Sequence, residues 1–227
     1  MAVMDRSMRS WSSPAVWMGL AFGAALILTA AVLTVFGAGE RGTLLGLQMT
    51  ARFSFLLFWP AYAGSALWAL FGQTFLPLKR HGRAFGLAFA SAHLAHVGLV
   101  AWLSYIGAAP SRGTFVFFGI AVGFTYMLAL FSIASLHQAL GPAGWWLLRT
   151  IGLNYILYAF AVDFLRYRDF GTAKFWVGYL PFDILVIAGA LLWGAAFLLW
   201  AERQAAALYR SSSRVRSAGD AGTPRQQ

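Results

Sequence analysis

Cysteine is absent from this 227-residue chain. That excludes disulfides, thiolate zinc sites, iron–sulfur clusters and cysteine nucleophiles. Acidic residues are nearly as scarce, with seven Asp and Glu against seventeen Lys and Arg. Too few carboxylates remain for a di-metal carboxylate centre. Charged residues of all kinds make up 11% of the chain, where a soluble domain carries roughly 25%. No P-loop, GxGxxG, HExxH or GxSxG motif sits in the context its chemistry requires. No repeat of solenoid period is present. The net charge of +10 raises the question of nucleic acid. No basic helix or aromatic RNA platform accompanies it, so no nucleic-acid partner is expected.

What is abundant is apolar surface: 60% of residues are hydrophobic and the mean hydropathy is +0.67. A chain of this size cannot hide that much apolar surface in one soluble core. The expected fold class is all-α, an integral membrane bundle of six transmembrane helices. Residues 1–13 form a polar N-terminal segment, 14–203 the bundle, and 204–227 a disordered basic tail rich in Arg, Ser and Gly. The first span, Pro14 to about Phe36, follows Ser12 and Ser13, which suit a helix start. It is long enough to cross a bilayer and longer than the apolar region of a secretory signal, so it is expected to be retained. The others run from about Gln48 to Phe71, Ala84 to Ile106, Phe115 to Leu136, Ala143 to Leu165 and Val177 to Trp200. Arg52, near the end of the second, is placed to snorkel. Basic residues concentrate in 1–13, in the link between spans two and three (Lys79, Arg80, Arg83) and in the tail. That bias predicts a bacterial-type inner membrane protein with both termini cytoplasmic, although Arg166, Arg168 and Lys174 run against it.

The residues that could carry chemistry lie mainly in the third span, RAFGLAFASAHLAHVGLVAW. His93 and His96 share one face near its middle, and ionisable groups inside a membrane suggest a function by default. One reading is haem b, with axial imidazoles from facing helices. His96 and His93 are then candidate ligands, with His137, near the end of span four, as the opposite one. His137 is roughly 10–15 Å from the midplane at 1.5 Å rise per residue, so that pairing needs a displaced helix. Met127 and Tyr126 are alternative ligands at mid-depth. Arg149, near the inner end of span five, is expected to snorkel; the sharper alternative makes it a contact for a haem propionate or a lipid phosphate. The competing reading is interhelical hydrogen bonding of neutral imidazoles, to Asn154, Thr150 or Thr125. No metal other than haem iron is expected. Asp163 and Arg166 are spaced for a helical ion pair.

One stretch carries a family likeness. The basic link leads into Arg83–Leu87 (RAFGL), and His96 lies ten residues past Gly86. Together with the preceding span, TARFSFLLFWPAYAGSALWALF, and with Leu140–Gly141 followed by Trp145–Trp146, this resembles the ferric reductase-like transmembrane domain family over roughly Gly46–Phe164. The resemblance implies a six-helix bundle that binds haem b and passes electrons across the membrane. It also implies two histidines separated by thirteen residues in span five. Those places fall at about Thr150 and Asp163, so of the family's ligands only His96 carries over. No flavin or nicotinamide domain is recognisable, so an electron donor would be a separate redox partner protein or a quinol, besides membrane lipid around the bundle. Two functions follow as expectations. One is a membrane electron-transfer subunit with haem b, a possible oxidoreductase component. The other is a haem-free membrane scaffold, partner or small-ligand-binding protein that keeps the same bundle.

Overall fold

A computed structural model describes residues 13–166 and 172–221. Within them the chain is helical: α1 (Pro14–Phe36), α2 (Glu40–Phe71), α3 (Leu76–Tyr105), α4 (Arg112–Ile133), α5 (Gly141–Phe164), α6 (Ala173–Gly178) and α7 (Leu180–Ala221). Short 3-10 turns at Gly72–Phe75 and Leu136–Gln138 join α2 to α3 and α4 to α5. Five helical stretches are long and apolar enough to cross a bilayer: Pro14–Phe36, Glu40–Tyr105, Arg112–Ile133, Gly141–Phe164 and Leu180–Ala206. The second, 66 residues long, contains both α2 and α3. These fold back on each other, so the bundle has six membrane-length helices.

The hairpin has a readable register. Gly46 lies against Leu99, Thr50 against His96 and Phe58 against Phe89, which is an antiparallel pair in constant step. Gly64 closes it near the turn, where a Cβ would lie 3.1 Å from the Leu78 carbonyl oxygen; close approach here requires a residue without a side chain. α1 packs parallel to α3 through small residues. Ala21 and Ala25 meet Ala88, Ala92 and Ala95, and the Ser91 hydroxyl donates to the Met18 carbonyl at 2.9 Å. In a membrane, where burial of apolar surface gives no drive for helix association, such small faces allow the close contact that dispersion needs.

α2 is the centre of the molecule. Its other side meets α7, which runs parallel to it: Trp59 Nε1 donates to the Leu185 carbonyl at 2.7 Å, and Phe55 meets Phe182. α5 crosses antiparallel to α2, with Asn154 at Tyr62 and Phe164 at Phe55. α4 completes the set by packing antiparallel on α5 around Gly152, where Leu128 and Phe124 leave no room for a Cβ. The space between α2, α3, α5 and α7 is filled by Phe55, Phe58, Phe89, Phe160 and Phe164 with Ile156, Leu157 and Val186.

The first helix begins and ends where the sequence predicts, with Ser13 capping Val16 N–H and Pro14 at the first position. Other boundaries differ. α2 starts at Glu40, well before the span start expected near Gln48. Lys79, Arg80, His81 and Arg83 are not in a loop. They ride on the opening turns of α3, with Pro77 near its first position, where a missing N–H costs nothing. The expected disordered tail from 204 is also altered, because α7 continues as helix to Ala221. Its Ala-rich start, AERQAAALYR, has high helix propensity and prolongs the span. Residues 222–227 lie outside the described residues, as does the 1–13 segment except Ser13. Arg52, placed to snorkel, instead lays its guanidinium over Tyr179, 5.0 Å from the ring centroid. Asp163 is attracted by both Arg166 and Arg52.

Candidate functional site

The two histidines of α3 face α2. Their rings stack on each other with centroids 4.9 Å apart and 13° between planes, and His93 also rests on Phe89. His96 Nδ1 lies 3.1 Å from Thr50 Oγ1. Thr50 is fully buried, and its hydroxyl donates to the Gly46 carbonyl at 2.8 Å. A hydroxyl has a single proton to give, so while it stays on Gly46 it accepts from His96, whose proton is then on Nδ1. The Leu47 backbone is within hydrogen-bonding reach of the same imidazole. Ser54 is one turn further along α2, level with His93 in the hairpin register. Its Oγ and His93 Nδ1 are both buried and neither has a hydrogen-bond partner. The interhelical bond that the sequence allowed is therefore made, but to Thr50, which sequence reasoning did not name. Asn154 instead accepts from the Tyr62 hydroxyl at 2.9 Å, and Thr125 donates to its own helix at Ala121. Register counting along the α2–α3 hairpin was the signal that could have found Thr50.

His137 is not brought to this pair. It sits in the turn after α4, with Nδ1 3.4 Å from the Phe131 carbonyl and its ring against Trp145. Arg83 reaches Ser132, so those two residues share a level at one end of the bundle. His93 is ten residues further along α3, about 15 Å at 1.5 Å per residue, and His137 lies past Ser132. Of the alternative ligands on α4, Tyr126 has a buried hydroxyl without a partner. Arg149 is likewise remote. It lines a cleft with Tyr62, twelve residues from Thr50 on α2, or about 18 Å along the axis.

These positions decide how well the residues fit haem b. Two axial imidazoles must approach one iron from opposite faces of a plane. His93 and His96 lie side by side on one helix and stack, so they cannot do that. His137 is at another depth. Phe89, on which His93 rests, joins Phe58 and Phe160, and Phe55, Phe58, Phe160 and Phe164 are at most 8% exposed and touch ring to ring. Side by side on one helix, the pair does not fit a bis-histidine haem. No group of three or more His, Cys, Asp or Glu that could hold a metal ion occurs among the described residues.

A second polar constellation lies at the other end of α2. Tyr62, Ser65 and Ala66 from α2, Trp146, Arg149, Thr150, Leu153 and Asn154 from α5, and Trp193, Ala196, Phe197 and Trp200 from α7 enclose a cleft of about 280 Å³. Trp146 stacks on Trp200, and Trp193 stacks on Phe197.

The fold and these sites define an all-α multi-pass membrane protein. No family model, no curated protein and no solved structure matches the chain.

Proposed function

We propose that the chain is a haem-independent membrane protein that binds a small ligand or partner on a six-span bundle of the ferric reductase-like kind. The observation that carries this reading is the stacking of His93 and His96 side by side on α3, which keeps the two imidazoles from taking opposite faces of one iron. The phenylalanine cluster that Phe89 joins to His93 holds α2, α3 and α5 together. The histidine pair then serves as a buried polar tie between α2 and α3. A neutral imidazole at His96 makes its hydrogen bond to α2 without placing charge in the membrane.

The second reading is a haem b electron-transfer subunit fed by a separate redox protein or a quinol. What favours it is the unpartnered, buried Nδ1 of His93, together with the likeness around Arg83–Leu87. In either case the expected setting is a bacterial-type inner membrane with both termini cytoplasmic. The parallel run of α2 and α7 supports this orientation. It places Arg203 at the same end as Lys79, Arg80 and Arg83, and an excess of Lys and Arg marks the inner side.

The visible spectrum of the purified full chain after haem supplementation separates the two. The proposal expects no stoichiometric Soret band in a folded sample. A Soret band at one haem per chain, with α and β bands appearing on dithionite reduction and lost in His96→Ala, would overturn it.

A further inference from the structure

The cleft between α2, α5 and α7 combines features that a purely structural gap does not need. Arg149 is two turns into α5, about 12 Å from the helix start at 1.5 Å per residue. Its side chain is exposed on the open side of the cleft, and no hydrogen bond or ion pair holds its guanidinium among the described residues. An arginine in a span is expected to find a partner, since five N–H donors without acceptors are costly there. The residues lining the cleft include no Asp or Glu. Neighbouring polar groups form a short chain: Tyr62 donates to Asn154 Oδ1 at 2.9 Å and Asn154 Nδ2 donates to the Thr150 carbonyl at 2.8 Å. The Thr150 and Ser65 hydroxyls also line the space. The remaining wall is aromatic, made by Trp146, Trp193, Phe197 and Trp200.

We infer that this cleft is a binding site for the phosphate headgroup of an anionic phospholipid. The guanidinium fork matches a phosphate bidentately. A volume of about 280 Å³ is below that of a site that swallows a whole drug-sized ligand. It accommodates a headgroup and leaves the acyl chains to run out over Trp146 and Trp200 into the bilayer. The position agrees with this source. Arg149 lies toward the bundle end that carries Lys79, Arg80, Arg83 and Arg203, where the field of basic residues concentrates anionic lipid. The assignment deepens the ligand-binding reading above, but its residues are distinct from the histidines, so the haem spectrum and a lipid titration fail independently.

Native mass spectrometry of the detergent-solubilised full chain tests the assignment, with phosphatidylglycerol and phosphatidylcholine titrated separately and inorganic phosphate as competitor. One phosphatidylglycerol per chain is expected to bind about fivefold more tightly than phosphatidylcholine, the preference one cation provides near a membrane surface. Arg149→Gln abolishes that preference, and Arg149→Lys retains part of it as a point charge without the fork. Ala196→Phe fills the cleft from α7 with Arg149 intact and lowers phosphatidylglycerol binding as well, so it decides the matter if Arg149→Gln does not fold. Millimolar inorganic phosphate leaves the lipid in place. An unchanged lipid preference in both Arg149→Gln and Ala196→Phe overturns the site. Complete displacement by inorganic phosphate overturns the lipid as its occupant.

Discussion

Replacing Thr50 by Val keeps the shape of a fully buried side chain and removes one oxygen. That oxygen is the partner of His96 Nδ1 at 3.1 Å. It also caps its own helix at Gly46, but the Gly46 carbonyl keeps its place in the helix ladder, so the loss falls chiefly on His96. A buried donor left unpaired costs about 1–3 kcal/mol in soluble proteins. Membrane helices lose less, because the separated helices also find partners, and measured couplings average about 0.6 with a maximum near 1.7 kcal/mol. Thr50→Val is therefore expected to destabilise the bundle by about 0.6–1.7 kcal/mol. His96→Leu costs packing against His93 as well. In the double variant no donor is left stranded, and the two losses should fall short of additive by about 0.6–1.7 kcal/mol. Reversible unfolding in mixed micelles, followed by circular dichroism over a denaturing-detergent titration, measures all four corners of the cycle. Nitrogen NMR of labelled histidine adds an independent check, since His96 should carry its proton on Nδ1. Strict additivity, or an Nε2–H tautomer at His96, would show that the contact is mere proximity and that the histidine pair is not a tie between α2 and α3.

Two further outcomes follow from the packing. Gly42→Ala brings a Cβ into the Gly37 backbone carbonyl, which no rotamer change can relieve; the α1–α2 connection must move, and a loss of more than about 2 kcal/mol is expected in the same unfolding assay. Wild-type stability in Gly42→Ala would mean that the connection is looser than described. Arg83→Gln removes the guanidinium that donates to the Ser132 carbonyl at 2.7 Å and to its hydroxyl at 3.1 Å. Because this tie is exposed, the loss should be only about 1 kcal/mol, read best as faster proteolysis in the α4–α5 turn; unchanged cleavage there would refute the tie.

The span pattern was legible in the sequence because each apolar run is long enough to cross a bilayer and is bounded by Gly, Pro or charge. Pro14–Phe36 is the clearest case. Helix ends elsewhere were not, since hydropathy marks where lipid begins and not where the backbone stops being helical. Thus Lys79–Arg83 and the residues after Glu202 are polar and still helical. The histidines could be singled out from their spacing, and so could Arg149 as a cation inside a span. Their partners could not, because which residue faces His96 depends on the α2–α3 register, and that register is set by the turn at Gly72–Phe75 and by close approach at Gly64 and Gly46.

The sequence by itself determined the class: an all-α multi-pass membrane protein, without thiol chemistry and with too few acids for a carboxylate metal centre. This follows because lipid requires every backbone group to be paired within its own helix, so composition and run length suffice. Tertiary structure alone decided which side chains meet. It set His93 beside His96 instead of across from a second ligand, packed phenylalanines from α2, α3 and α5 together, and gathered Arg149, Tyr62, Asn154 and Trp200 from three helices around one cleft. Those are consequences of helix register and crossing. They depend on dispersion and close contact between faces, which one-dimensional periodicity does not encode.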